Sequence, residues 1–231
     1  QQPGGRLEIR PIAIINDQIT STLKALINIH QLDITQYFDP IQMAIFAKHS
    51  MAKATIGLRT ILEMMYYTDH REDIVIAGFD LKAAFDSLSR TDAILTLAKS
   101  PLRTLTRAAW ATLSPTSTLI ACGDRGAEAS PHTFITNRGV KQGSPLSSVV
   151  FAAAIHPTLM AIQEQVAQEG GAIVAIADDI HVISTAEKAL AIAKTIEGQL
   201  RRATGLEVQP TKCWVYSPTP DTAFNLQGWQ D

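Results

Sequence analysis

Cysteine is scarce in this chain. Cys122 and Cys213 are its two, far apart and outside any CxxC spacing, so neither a disulfide framework nor a zinc cluster is signalled. A reducing, intracellular setting is the default that such usage implies. The six histidines are scattered, without HExxH or paired-ligand spacing. Charge is thin as well: 20 Lys and Arg against 22 Asp and Glu leave a net −2, and charged residues make up 18% of the chain. That composition excludes a disordered chain and a globally basic coat. Nucleic-acid contact, if there is any, must then come from local patches or from domains outside this chain. No apolar run reaches the roughly 18–20 residues of a membrane helix. The longest, Val149 to Ile155, stops at His156-Pro157, so no membrane partner is expected. Neither a signal peptide nor an internal repeat is read, and the opening on Gln1 rather than Met predicts a piece of something longer.

What is present is a hydrophobic content of 46% over 231 residues, enough for a sizeable core. Apolar spacing predicts helices from Asp17 to about Leu32 and from about Lys53 to Tyr67, the second with Ile56, Leu62, Met65 and Tyr66 available for burial. Asp33 to Pro40 reads as a loop. Ile74–Phe79 is continuous and apolar, which suits a strand covered on both faces. Helical pattern follows over Leu81 to Leu88, then from an N-cap at Thr91 to Lys99, then from Pro101 to about Leu113. Strands are expected at Thr116 to Ala121 and His132 to Thr136, and a long helix from Pro145 to about Gln168. A hairpin, a helix over Ala186 to Thr204 closed by Gly205, and short strands at Glu207 to Gln209 and Cys213 to Ser217 complete an α+β order.

The hairpin carries the strongest chemical signal. Asp178 and Asp179 stand between two runs rich in β-branched residues, where an ordinary tight turn would have Asn-Gly or Asp-Gly. Two like charges side by side on a mostly buried scaffold are unfavourable unless a cation offsets them. Mg²⁺ takes hard oxygens from one or two carboxylates plus substrate phosphates, so the turn is a candidate Mg²⁺ site; a solvated acidic turn would read the same way. Asp80 is the sole acid at the end of a buried-looking strand, a position that a helix N-cap would also explain. If strand end and hairpin pair in one sheet, three carboxylates converge and hold two ions about 3.5–4 Å apart, as in-line phosphoryl transfer uses.

Four ordered motifs then resemble those of reverse transcriptases, particularly the non-LTR (LINE-type) retrotransposon kind. Phe79-Asp80-Leu81-Lys82-Ala83-Ala84-Phe85-Asp86-Ser87 resembles their motif A, and Arg138-Gly139-Val140-Lys141-Gln142-Gly143-Ser144-Pro145-Leu146-Ser147 their motif B. Ile176-Ala177-Asp178-Asp179 is similar to motif C, and the stretch from Gly205 through Lys212 to Cys213 to motif D. Arg10-Pro11-Ile12 resembles the fingers motif that precedes them. The chain departs from the family at Ile176, where Tyr or Phe is usual.

The resemblance implies a polymerase palm, a ferredoxin-like antiparallel sheet backed by helices. A partial helical fingers region would fill residues 1–72 and the palm 73–231, with a fingers insertion-type segment around 100–140 and no thumb. It implies an RNA-directed DNA polymerase, adding dNTPs to a DNA primer on an RNA template with two Mg²⁺ (Mn²⁺ the substitute). Further domains of a retroelement polyprotein would be its partners. Asp80, Asp178 and Asp179 would be the carboxylate ligands, with the Leu81 carbonyl a further one. Phe85 would gate against a 2′-hydroxyl, though it could equally be a core phenylalanine. Gln142 and Gly143 would lie against the nascent base pair, where glycine permits close backbone approach. Lys212 would act near the departing pyrophosphate and Arg10 would grip the triphosphate. Two other readings stand beside this one: a viral-type RNA-dependent RNA polymerase on the same palm, and a degenerate reverse-transcriptase-like scaffold or element relic.

Overall fold

The computed structural model describes residues 13, 15–43, 45, 50–67, 74–113, 116–121, 132–168 and 171–217. In chain order the helices and strands are α1 (Asp17–Ile29), α2 (Gln31–Phe38), α3 (Ser50–Tyr67), β1 (Ile74–Phe79), α4 (Ala84–Ser87), α5 (Arg90–Lys99), α6 (Thr106–Leu113), β2 (Ser117–Ala121), β3 (His132–Thr136), α7 (Pro145–Gln168), β4 (Ala172–Ile176), β5 (Asp179–Thr185), α8 (Ala186–Thr204) and β6 (Trp214–Tyr216). The main sheet is antiparallel in the order β4-β5-β1-β6, and β2 with β3 forms a separate ribbon.

Strand alternation decides which face of the sheet carries what. Ala77 and Phe79 of β1 stand opposite Val182 and Ile180 of β5, which in turn stand opposite Ile173 and Ala175 of β4. All six are buried in one cluster with α5, α7 and α8. The other face shows Ile76 and Gly78 beside Ile183 and His181, with Tyr216 and Trp214 of β6 opposite the same two β1 residues. Leu58 and Ile61 of α3 cover Ile76 and Ile183, leaving the Gly78 end uncovered by them. An antiparallel sheet backed by α5, α7 and α8 on one face, with α3 over part of the other, is the expected palm.

Several expectations are corrected. The stretch expected as a loop at Asp33 to Pro40 is largely helix α2, because Ile34 and Phe38, four residues apart on one face, are both fully buried. In α3, Ile56 is exposed and Leu58 with Ile61 supply the contact. The side chains of Leu62, Met65 and Tyr66 lie outside the described ones. The helix expected over Leu81 to Leu88 shrinks to the single turn α4. Ser89, not Thr91, caps α5, its Oγ accepting from the Asp92 N–H. Pro101 opens no helix: a 3₁₀ turn at Arg103–Leu105 leads into α6. Glu207 to Gln209 makes one bridge, Leu81 to Val208, rather than a strand.

Helix α7 runs through His156-Pro157 for 24 residues, over the span expected from Pro145 to Gln168. By length and composition it could cross a membrane, yet 72% of its most apolar window is buried inside the fold, as befits a core helix. His156 packs against the rings of Tyr37 and Phe38, and burial lowers its pKa to about 4. The stability tied to its neutral form is therefore fully present above pH 6.5 and is lost as pH falls toward 4.

Candidate functional site

Asp80 follows the last residue of β1, on the side of the sheet opposite buried Phe79. Its position is fixed by backbone rather than by side-chain bonds alone. The Asp80 carbonyl accepts from Gln209 N–H at 2.8 Å, and Lys82 N–H donates to the Glu207 carbonyl at 2.8 Å. This bridge uses the groups of residues 80 and 82, so those of Leu81 turn the other way. The chain returns to β1 because Gly205, in the left-handed region at φ 73, closes α8 and reverses direction. Lys212 then lies beside Asp80, with Nζ 3.3 Å from Oδ2. The lysine side chain is 50% exposed and the aspartate 24%, so the pair orients the carboxylate more than it stabilises the fold.

A cavity of about 340 Å³ opens at this point. Asp80, Leu81, Phe85, Gln142, Gly143, Asp178 and Lys212, all named from the sequence, line it together with Ala83, Ala84, Asp86, Ser144, Ser147 and Ser148. Phe85 does two things at once. Its ring stacks on buried Phe151, centroids 4.7 Å apart and planes 10° from parallel, while the residue also faces the cavity. Gln142 points its amide at Asp86, Nε2 lying 3.2 Å from both carboxylate oxygens. Gly143 needs its glycine: φ is 102, a conformation that L side chains rarely adopt.

Asp179 is not among the residues of that cavity. Ile176 pairs with Asp179, so the two-residue turn is Ala177-Asp178 rather than the two aspartates. Asp178 therefore projects from the turn while Asp179 is already the first residue of β5. It lines a second cavity, of about 220 Å³, with Gly78, Phe79, Asp80, His181, Lys212 and Trp214. Asp80 and Lys212 border both. The three carboxylates thus divide over two cavities, and among the described residues no three His, Cys, Asp or Glu side chains gather into a metal-binding group. Arg10 lies outside the described residues.

Residues that the motifs alone did not single out complete the picture. Trp214, half-exposed, lies over Gly78 so closely that a Cβ there would overlap its indole, and His181 meets the ring edge-on at 5.6 Å. Burial lowers the His181 pKa, against the pull of the Asp179 carboxylate. Two alanines adopt positive φ beside the carboxylates, Ala83 at 45 and Ala177 at 59. Backbone strain of that kind collects at functional sites. The register of β6 against β1 was the available signal for Trp214, and it is not readable from local pattern.

For fit to divalent ions, the donor set is the Asp80 and Asp178 carboxylates on one cavity, where Asp86 is taken up by Gln142, the Leu81 carbonyl turned away from its bridge, and the Asp179 carboxylate across the shared wall. Mg²⁺ is usually bound by one or two protein carboxylates and completed by substrate phosphates and water, so these residues fit it without forming a closed cage.

The family model described as reverse transcriptase (RNA-dependent DNA polymerase) matches residues 3–227. No curated protein sequence matches. Among solved structures, apo telomerase from Candida tropicalis truncated from its C-terminal domain is similar at TM-score 0.62 and 14% identity, over 87% of this chain and 42% of that one. Telomerase from Candida tropicalis in complex with a TWJ fragment of telomeric RNA is similar at TM-score 0.60 and 12% identity, over 87% and 34%. Telomerase from Candida albicans in complex with a TWJ fragment of telomeric RNA gives TM-score 0.53 and 15% identity, over 83% and 35%. At such identities the likeness is one of fold, and this chain spans less than half the length of those structures.

Proposed function

The chain belongs to the reverse transcriptase family, and from that premise we propose that it is the fingers-palm portion of an RNA-directed DNA polymerase of a non-LTR retroelement, extending a DNA primer with dNTPs on an RNA template. One observation carries the reading. Asp80 from a strand end and Asp178 from a hairpin turn line a single cavity with Phe85, Gln142, Gly143 and Lys212. That chemistry suits a nucleoside triphosphate: carboxylates at one end, an aromatic wall for the sugar, amide and backbone groups for the base pair.

Asp80 and Asp178, with the Leu81 carbonyl and with Asp179 from the neighbouring cavity, would hold two Mg²⁺. Bound there, the ions supply charge neutralisation for the triphosphate and lower the pKa of the primer hydroxyl. The chain's own groups do the rest. Lys212 keeps the Asp80 carboxylate turned toward it and offers a proton or positive charge to the leaving pyrophosphate. Phe85, pinned against Phe151, presents a rigid edge where a ribose 2′-hydroxyl would fall. Gln142, held by Asp86, orients its amide toward the base pair. Trp214 stacks beneath a base of the strand being extended, since aromatic side chains hold single-stranded nucleic acid in a sequence-tolerant way. The TWJ fragment of telomeric RNA bound in two of the telomerase structures supports RNA as a partner.

Mg²⁺-dependent extension of oligo(dT) on poly(rA) tests the proposal, with Asp178→Ala as the control that must be strongly impaired. Incorporation of ribonucleotides as readily as deoxyribonucleotides would favour the RNA polymerase reading. Retained nucleic-acid binding without extension, in a chain carrying its flanking domains, would favour the scaffold.

A further inference from the structure

Arg90 opens α5 and is buried, 7% exposed. Its Nε donates to the Gly139 carbonyl at 2.6 Å, and its Nη1 to the carbonyls of Thr136 at 3.2 Å and Leu113 at 3.3 Å. The three acceptors belong to three pieces of chain: the loop before α7, the end of β3 and the end of α6. A guanidinium out of water is tolerated when its donors are satisfied, and only its planar fork reaches several carbonyls at once.

What the anchored segment touches is the wall of the nucleotide cavity. Gly139 N–H donates to Leu88 O at 2.8 Å and Val140 N–H to Phe85 O at 2.7 Å. Gly139, at φ 78, lies so close to α4 that a Cβ would stand 2.6 Å from Asp86 O and 2.7 Å from Phe85 O. Helix α4 cannot hold itself. It has four residues and no side-chain cap, and it is entered through the positive-φ residue Ala83. A single turn lacks the cooperative bonds that make a helix persist. Phe85 and Asp86 are therefore held from outside, by Phe151, by residues 139–140 and by Gln142.

We propose that Arg90 is a positioning residue for the cavity: by fixing Gly139 it sets the depth of Phe85 and of the Gln142–Asp86 wall, and through them the choice between deoxyribo- and ribonucleotides. The proposal rests on the polymerase reading above. Arg90 itself touches no substrate; its effect passes through one carbonyl to a one-turn helix.

The test is Arg90→Lys, which keeps the charge and loses the fork, measured on the whole chain by dNTP and rNTP incorporation and by amide hydrogen exchange. The expected result is a KM for dNTP raised roughly tenfold with kcat nearly kept, and a dNTP/rNTP preference lowered roughly tenfold. Exchange should quicken at residues 84–88 and 139–142 and stay unchanged in α8. Gly139→Ala, which disturbs the same segment with Arg90 intact, should shift the sugar preference the same way and serves if Arg90→Lys does not fold. A lower thermal midpoint with wild-type sugar preference, or exchange quickened evenly over the chain, overturns the proposal. If the wild-type chain incorporates nothing, the polymerase reading fails and the sugar-selection claim with it. Exchange at 84–88 then still decides whether Arg90 holds α4.

Discussion

Two cavities meet at the wall formed by Asp80 and Lys212, and their linings differ. The larger is polar, lined by aspartates, serines and a glutamine, with Phe85 for its one ring. The smaller holds an indole laid on a glycine and an imidazole whose pKa burial lowers. Neighbours in sequence are dealt to opposite sides: Asp178 projects from the two-residue turn into the larger cavity, and Asp179 begins β5 and faces the smaller. Identical side chains one residue apart thus have different surroundings because one stands in the turn and the other in a paired strand. The larger cavity suits a charged nucleotide and the smaller a stacked base, and removing parts of one should leave the other's property intact.

The largest separation should come from Asp178→Ala. Incorporation is expected to fall on the order of 10³-fold, the scale seen when one preorganised electrostatic group is removed, as measured by single-nucleotide extension. Binding of a labelled primer–template, read by anisotropy, should change little, because Trp214 and the smaller cavity are untouched. Equal loss of both would break the division into two functions.

Phe85→Ala should come next. Ribonucleotide use relative to deoxyribonucleotide use should rise roughly 10–100-fold, the discrimination that one steric contact supplies, as read from competing incorporation. Because the ring also stacks on Phe151, the variant loses core packing and its thermal midpoint should drop as well. Phe85→Leu separates the two effects, keeping most of the volume without the flat edge. Unchanged sugar preference in Phe85→Ala would confine this residue to the core.

A smaller effect is expected from Trp214→Ala, which should weaken primer–template binding roughly tenfold, the low end of what one stacked base contributes. Trp214→Phe should keep most of the affinity. Gly78→Ala should reproduce the loss with the indole intact, because the new Cβ would displace the ring. KM for dNTP should stay near wild type in all three. Should it rise in step with primer affinity, the two cavities act as one.

Much of this was legible in the chain. The core strands were readable from Ile74–Phe79 and the β-branched runs flanking the aspartates, because a strand covered on both faces is apolar throughout, while the antiparallel palm was implied by the motifs. Four motifs in order brought together the residues that line the larger cavity. What escaped depends on partners distant in sequence. Helix α2 reads as loop until Ile34 and Phe38 are seen to be buried. The turn's true register follows from Ile176 pairing with Asp179, which leaves positive φ on an alanine where glycine would be expected. Trp214 over Gly78 and Arg90 on three carbonyls are contacts between elements separated by long stretches of chain, and no local pattern announces either.

That alanine offers the finest test of the comparison. Ala177 enters the turn at φ 59, and a non-glycine residue there costs roughly 1–2 kcal/mol. Ala177→Gly removes the strain but gives the unfolded chain more freedom, so a net gain of about 0.5–1 kcal/mol is expected. In a chain of this size that is a rise of roughly 1–4 °C in thermal midpoint. If the strain serves to aim Asp178 into the larger cavity, the more stable variant should extend primers more slowly. Its primer affinity should not change, because Asp179 and Trp214 sit beyond the turn on paired strands. A variant both more stable and fully active would mean that the turn is strained without contributing to catalysis, and that the aim of Asp178 comes from the Ile176–Asp179 pairing alone.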